Sequence, residues 1–147
     1  MIRHISAIAE IVDDMDAAVA FYRDTLGIPV EYQAGQSYAP IEMPGVLHFA
    51  IWSRRAAAEA TFGDPDAVDR VPLGFTVGFE VDDVSAASQA IATEGLQVVQ
   101  PPKKEPWNQI ASRFISRSGA LAEVTETPWA RRITQALQAD GSDSAAT

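Results

Sequence analysis

One carboxylate interrupts the apolar run Leu121-Ala122-Glu123-Val124. An inward-facing carboxylate has to be paired or protonated. Glu123 therefore reads in two ways. It either anchors a ligand or acts as a general base, or it faces solvent or pairs with Arg113 on the preceding apolar stretch. The other residues with chemical potential are few. His4 and His48 are the only histidines, and there is no cysteine. Disulfides, thiolate metal sites and cysteine nucleophiles are thereby excluded. Asp13-Asp14 and Asp82-Asp83 have the look of paired metal-binding carboxylates, but each pair opens a helical run, where an aspartate caps the helix. The chain carries no phosphate-binding glycine loop, dinucleotide fingerprint, nucleophile elbow or zinc-protease motif.

The elements that must position these residues are written twice. Val12-Asp13-Asp14-Met15-Asp16-Ala17-Ala18 returns as Val81-Asp82-Asp83-Val84-Ser85-Ala86-Ala87, with five of seven positions identical. Each copy leads into a helical run and a glycine, Gly27 or Gly95, that opens an apolar stretch. In the first copy, Ile5 to Val12 reads as a strand, Asp14 to Leu26 as a helix, and 29–34, 38–43 and 46–53 as three antiparallel strands. In the second, the strands are 74–81, 96–100, 109–116 and 120–127, the helix is 83–93, and 101–106 is a stiff proline loop. The fold class is α+β: two tandem βαβββ modules forming curved mixed sheets around a shared cavity. Residues 1–128 make the domain, with module one at 1–53, a linker at 54–72 that carries some helix, and module two at 73–128. A short helix over 129–139 and a disordered tail over 140–147 complete the chain.

The stretch from Asp14 to Gly27, Asp-Met-Asp-Ala-Ala-Val-Ala-Phe-Tyr-Arg-Asp-Thr-Leu-Gly, resembles the first-helix signature of the vicinal oxygen chelate superfamily. That superfamily includes glyoxalase I, bleomycin-resistance proteins and extradiol dioxygenases. Arg117-Ser118-Gly119-Ala120-Leu121-Ala122-Glu123-Val124 is similar to its closing turn and strand glutamate. The resemblance implies metal-ligand positions on the first and last strands of each module. Counting back from Asp14 and Asp83 puts Ala7 and Thr76 at two of them, and matching Gly45 to Gly119 puts Phe49 opposite Glu123. Only Glu123 is a good donor, and one carboxylate does not hold a catalytic divalent ion. On this reading His4 and His48 point away from the cavity, with His48, Ala50 and Trp52 on one strand face and Leu47, Phe49 and Ile51 on the other. Trp107-Asn108 stands where the family commonly has Trp-Gly.

The expected function is thus a metal-independent small-molecule-binding protein of the glyoxalase/bleomycin-resistance type. A hydrophobic or aromatic ligand would be held by Ala7, Phe49, Thr76, Trp107, Arg113 and Glu123, and Glu123 is the candidate catalytic residue if there is a reaction. The alternative is a superfamily enzyme, a lyase, isomerase or dioxygenase, either metal-dependent through His4 or His48 in another register or metal-free with Glu123 as base. No cofactor is expected unless that alternative holds. The net charge of −9 argues against nucleic acid and anionic membrane as partners. The resemblance implies a homodimer, and a cytoplasmic location is the default expectation for a chain that starts without a leader-like apolar run.

Overall fold

The computed structural model describes residues 1–145. Strand β1 (Ile2–Val12) leads into helix α1 (Met15–Ala20), which winds on through a π-helical turn, Phe21–Thr25. Strands β2 (Tyr38–Ile41) and β3 (Phe49–Ser53) close the first module. Helix α2 (Arg54–Phe62) and a 3₁₀ turn (Ala67–Arg70) span the linker. The second module is β4 (Gly74–Val81), α3 (Val84–Thr93), β5 (Val98–Lys104), β6 (Ile110–Ile115) and β7 (Leu121–Glu126), followed by α4 (Pro128–Ala145).

The duplicated aspartates act as the sequence demands. Asp14 and Asp83 each accept a hydrogen bond from the backbone N–H three residues on, at 3.0 and 2.9 Å. Each helix run ends at a left-handed glycine, Gly27 or Gly95, a conformation open to glycine at little cost. Asp13 and Asp82 pair instead with Arg54 and Arg3, so neither aspartate pair is a metal site.

All strands join one curved mixed sheet in the order β2-β3-β1-β4-β7-β6-β5. Within each module the pairings match: β1 runs parallel to β3 and β4 parallel to β7, while β2 and β6 are antiparallel to them. The modules meet along the antiparallel β1–β4 ladder. There Ala7 faces Gly78 and Ala9 faces Thr76, so the pseudo-twofold axis passes between these pairs. One sheet face is covered by the module helices. Met15, Val19 and Tyr22 pack on Ile41 and Ile51 in the first module, and Val84 and Ala87 on Phe114, Ala122 and Val124 in the second. A third cluster lies on the other face, where Ala57 and Ala58 of α2 meet Ile11, Val71 and Leu121.

Three expectations change, while the linker carries helix as expected. The first of the three strands expected in module one shrinks to an isolated bridge, Val30 to Ile41. The proline loop is mostly strand, since β5 runs to Lys104. It is the outer strand of the sheet and carries a register shift between Gln100 and Lys103, which is where proline, lacking an N–H, is tolerated. The linker holds a full helix, capped by Ser53 and stopped by left-handed Gly63. The backbone of α4 continues beyond 129–139 into the tail expected to be disordered, and residues 146 and 147 of that tail lie outside the described residues. No helix among the described residues is long and apolar enough to cross a membrane.

Candidate functional site

The sheet face opposite α1 and α3 is concave and lines a cavity of about 950 Å³. Helix α2 closes one end with Ala56 and Ala60, and α4 brings Trp129 to the other. Ala7, Ala9, Thr76 and Gly78 form the floor along the module seam. Trp107 stands at the rim, half exposed, and its indole N–H donates to Gln109 at 2.7 Å. The turn beneath it needs a left-handed residue. Asn108 fills that place at φ 69°, doing there what the family's glycine would.

Arg113 is the centre of the polar wall. It is 2% exposed, and its guanidinium donates to Glu123 at 3.1 Å, to Glu105 at 2.8 Å and to the side-chain oxygen of Gln100. A buried arginine needs this many acceptors to offset its lost hydration. Its cationic carbon lies 5.5 Å from the ring centre of Trp52, across the seam in module one. Glu123 spends one oxygen on Arg113. Its other oxygen has only a long 3.4 Å contact from Gln109, and the side chain keeps 15% exposure, toward the cavity. This position depends on Gly78: a β-carbon there would sit 2.9 Å from the Glu123 Oε1 and 3.0 Å from the Ser6 hydroxyl.

A second polar group faces the cavity from module one. The Tyr38 hydroxyl and His48 Nε2 are hydrogen-bonded, their rings stack, and the imidazole meets Trp129 edge-on at 5.4 Å. Tyr38 as a residue is over a third exposed, but its hydroxyl end turns in to His48. Burial, and then the negative charge of Glu123, raises the Tyr38 phenol far above its usual range. Burial lowers the His48 imidazole. Both groups are therefore neutral near pH 7.

Ala7, Thr76, Trp107, Arg113 and Glu123 all line the cavity. Phe49 does not. It packs on the helix side of the sheet with Tyr22, and His48, expected to point away, takes the cavity face. The cause is a register difference. Gly45 lies further ahead of β3 than Gly119 does of β7, so matching the two glycines misplaces the strand by one residue. Strand pairing makes Ala50 the counterpart of Glu123: Ala50 lies opposite Ala9 and Pro40, as Glu123 lies opposite Gly78 and Arg113. A one-residue slip exchanges every side chain between faces. A bulge does fall between Ile5 and Ala7, yet His4 pairs with Glu80 beyond the cavity and does not line it. Sequence reasoning also missed Tyr38 and Trp129 as lining residues.

The positions where the superfamily resemblance implies metal ligands thus hold Ala7, Thr76, Ala50 and Glu123. Two methyl groups and a hydroxyl are poor donors, and the one carboxylate already bonds a guanidinium that would repel a divalent cation. No group of three or more potential metal-ligating side chains occurs among the described residues. The residues present do not fit the ion.

No curated protein matches the chain. Solved structures share its fold. Methylmalonyl-CoA epimerase from Mycobacterium tuberculosis is 19% identical with a TM-score of 0.55, covering 85% of this chain and 88% of that one. A variant of the Streptomyces coelicolor methylmalonyl-CoA epimerase in complex with 2-nitronate-propionyl-CoA is 20% identical with a TM-score of 0.54, covering 87% and 99%. A glyoxalase/bleomycin resistance protein/dioxygenase superfamily member from Vibrio splendidus 12B01 is 16% identical with a TM-score of 0.55, covering 86% and 100%. The duplicated module, the shared concave cavity and a family model matching residues 4–124 agree: the chain belongs to the glyoxalase/bleomycin resistance protein/dioxygenase superfamily.

Proposed function

We propose that this protein binds a hydrophobic or aromatic small molecule in the cavity without a metal ion. The observation that carries the reading is the make-up of the wall. All three tryptophans of the chain, Trp52, Trp107 and Trp129, line one cavity, alanines give it room, and one under-used carboxylate oxygen points into it. A mostly apolar space with a few placed polar groups, at about 950 Å³, is of the size that takes a drug-sized molecule. A homodimer and a cytoplasmic location remain part of the proposal, and a monomer in analytical ultracentrifugation at micromolar concentration would remove the first.

The test uses the tryptophans. Every indole borders the site, so a bound ring should change most of the intrinsic emission and raise the melting temperature. A broad set of planar apolar compounds that produces neither effect would sink the proposal.

A metal-free enzyme is the second reading, favoured by one observation: Glu123, Tyr38 and His48 face the same cavity. The epimerases of similar fold show that this architecture carries enzymes. With Glu123 as base, Glu123→Gln would leave binding intact and cut turnover by roughly two to four orders of magnitude. In the binding reading the same change costs affinity, by about 1–3 kcal/mol.

A further inference from the structure

We infer that the ligand is an organic cation, a protonated amine on an apolar or aromatic body, with its N–H groups directed at Glu123 and its body among the tryptophans. This rests on the binding reading above and names the chemistry of what binds.

The charges that line the cavity differ in how well they are satisfied, and the one carboxylate in excess, Glu59, is exposed. Glu59, Glu105 and Glu123 face Lys103 and Arg113. Both cations are already engaged. Arg113 is held by Glu123, Glu105 and Gln100, and the Lys103 ammonium donates to the Ala60 carbonyl at 3.2 Å and lies 3.7 Å from Glu105. The carboxylates are less well served. Oε2 of Glu105 is buried with no hydrogen bond, only the Lys103 ammonium 3.7 Å away, and Oε1 of Glu123 has only its long contact with Gln109. The acceptors left under-used are thus both carboxylate oxygens, and the Glu123 charge adds, after burial, to the rise of the Tyr38 phenol. The Tyr38–His48 pair is neutral and does not offset it. An anionic ligand would find the Arg113 guanidinium held by two carboxylates, and would have only the half-exposed Lys103 ammonium, which already serves the Ala60 carbonyl, to meet it.

The aromatic wall favours the same sign. Ring faces attract cations through their quadrupole, most strongly in tryptophan. Trp52 already takes the Arg113 guanidinium over its ring. A ligand ammonium desolvated between such rings and a carboxylate would gain a charge-assisted hydrogen bond in a medium of low dielectric.

Three probes with one ring separate the possibilities: 1-naphthylmethylamine, 1-naphthalenemethanol and 1-naphthoate, titrated calorimetrically at neutral pH. The amine should bind at least about tenfold tighter than the alcohol, with the carboxylate weakest. That preference should collapse in Glu123→Gln. If the alcohol or the carboxylate binds as well as the amine, the cation inference is overturned while the binding reading stands. If none of the three binds, and the broad set of planar compounds also fails, the binding reading falls and takes the inference with it. A preference that survives in folded Glu123→Gln removes Glu123 as its source and overturns the inference as stated. Near-ultraviolet circular dichroism reports whether the variant folds, and if it does not, the ranking on the unaltered protein decides alone.

Discussion

The two modules share a backbone plan and divide the work. In module two, Gly78, Glu123 and Arg113 lie side by side on three adjacent strands, and Arg113 recruits Gln100 and Glu105 as well. In module one the matching places hold Ala9, Ala50 and Pro40. Where module two has a carboxylate, a guanidinium and the bare backbone that accommodates them, module one has two methyls and a pyrrolidine ring. Module one supplies shape, the Trp52 face and a neutral Tyr38–His48 pair, while module two supplies charge. Duplication thus preserved what the fold needs, the caps and the helix-stopping glycines, and released what it does not.

This contrast is strongest at Arg113. Replacing it by methionine leaves part-buried Glu123 without a cation and buried Glu105 with only Lys103 at 3.7 Å, and should destabilise the protein by about 3–5 kcal/mol in urea unfolding. Pro40→Ala, at the matching place on an outer strand, should cost under about 1 kcal/mol. Similar losses for both would break the asymmetry.

A smaller effect is expected at the seam. Gly78→Ala drives a methyl into the Glu123 carboxylate and should cost about 1–3 kcal/mol. It should also erase the amine preference in calorimetry, because the carboxylate moves. The opposite exchange, Ala9→Gly, should cost only about 0.5–1 kcal/mol and leave that preference in place.

The smallest effect belongs to His48. Its proton affinity is lowered in the folded state by burial. The unfolded chain therefore binds more protons below its ordinary value of about 6.5, so stability is complete above that pH and declines as pH falls through it toward the lowered value. The urea midpoint should drop between about pH 7 and pH 5.5, and the drop should shrink in His48→Gln. A variant with the unaltered slope would assign the effect elsewhere.

The sequence made the duplication, both caps and β4 to β7 largely legible, because capping and helix-stopping residues act locally. The cavity was harder to read. Glu123 and Arg113 could be paired from an apolar strand with a misplaced charge. Phe49 was put on the wrong face because two turns of unequal length were treated as equal. A better signal was present: Leu47, Phe49 and Ile51 form the more apolar face and belong against the helix, which leaves His48, Ala50 and Trp52 for the cavity. Trp129 had no such signal. Its place is set by α4 as a whole, through the Arg131 guanidinium, which bonds buried Glu80 at 2.7 Å and the Val81 carbonyl at 2.6 Å.

The β1–β4 ladder has a consequence for how fast anything enters or leaves. It binds the halves into one continuous sheet, from Ile2 against Val81 to Ile11 against Gly74. A cleft between separate lobes can gape by swinging about a hinge, but this one cannot, since widening the floor would unzip a row of backbone hydrogen bonds. Residence time must be governed at the rim, by excursions of the Trp107 turn and of α4 with Trp129. Ligand exchange should therefore follow local fluctuations of these two segments and be indifferent to the stability of the sheet beneath them.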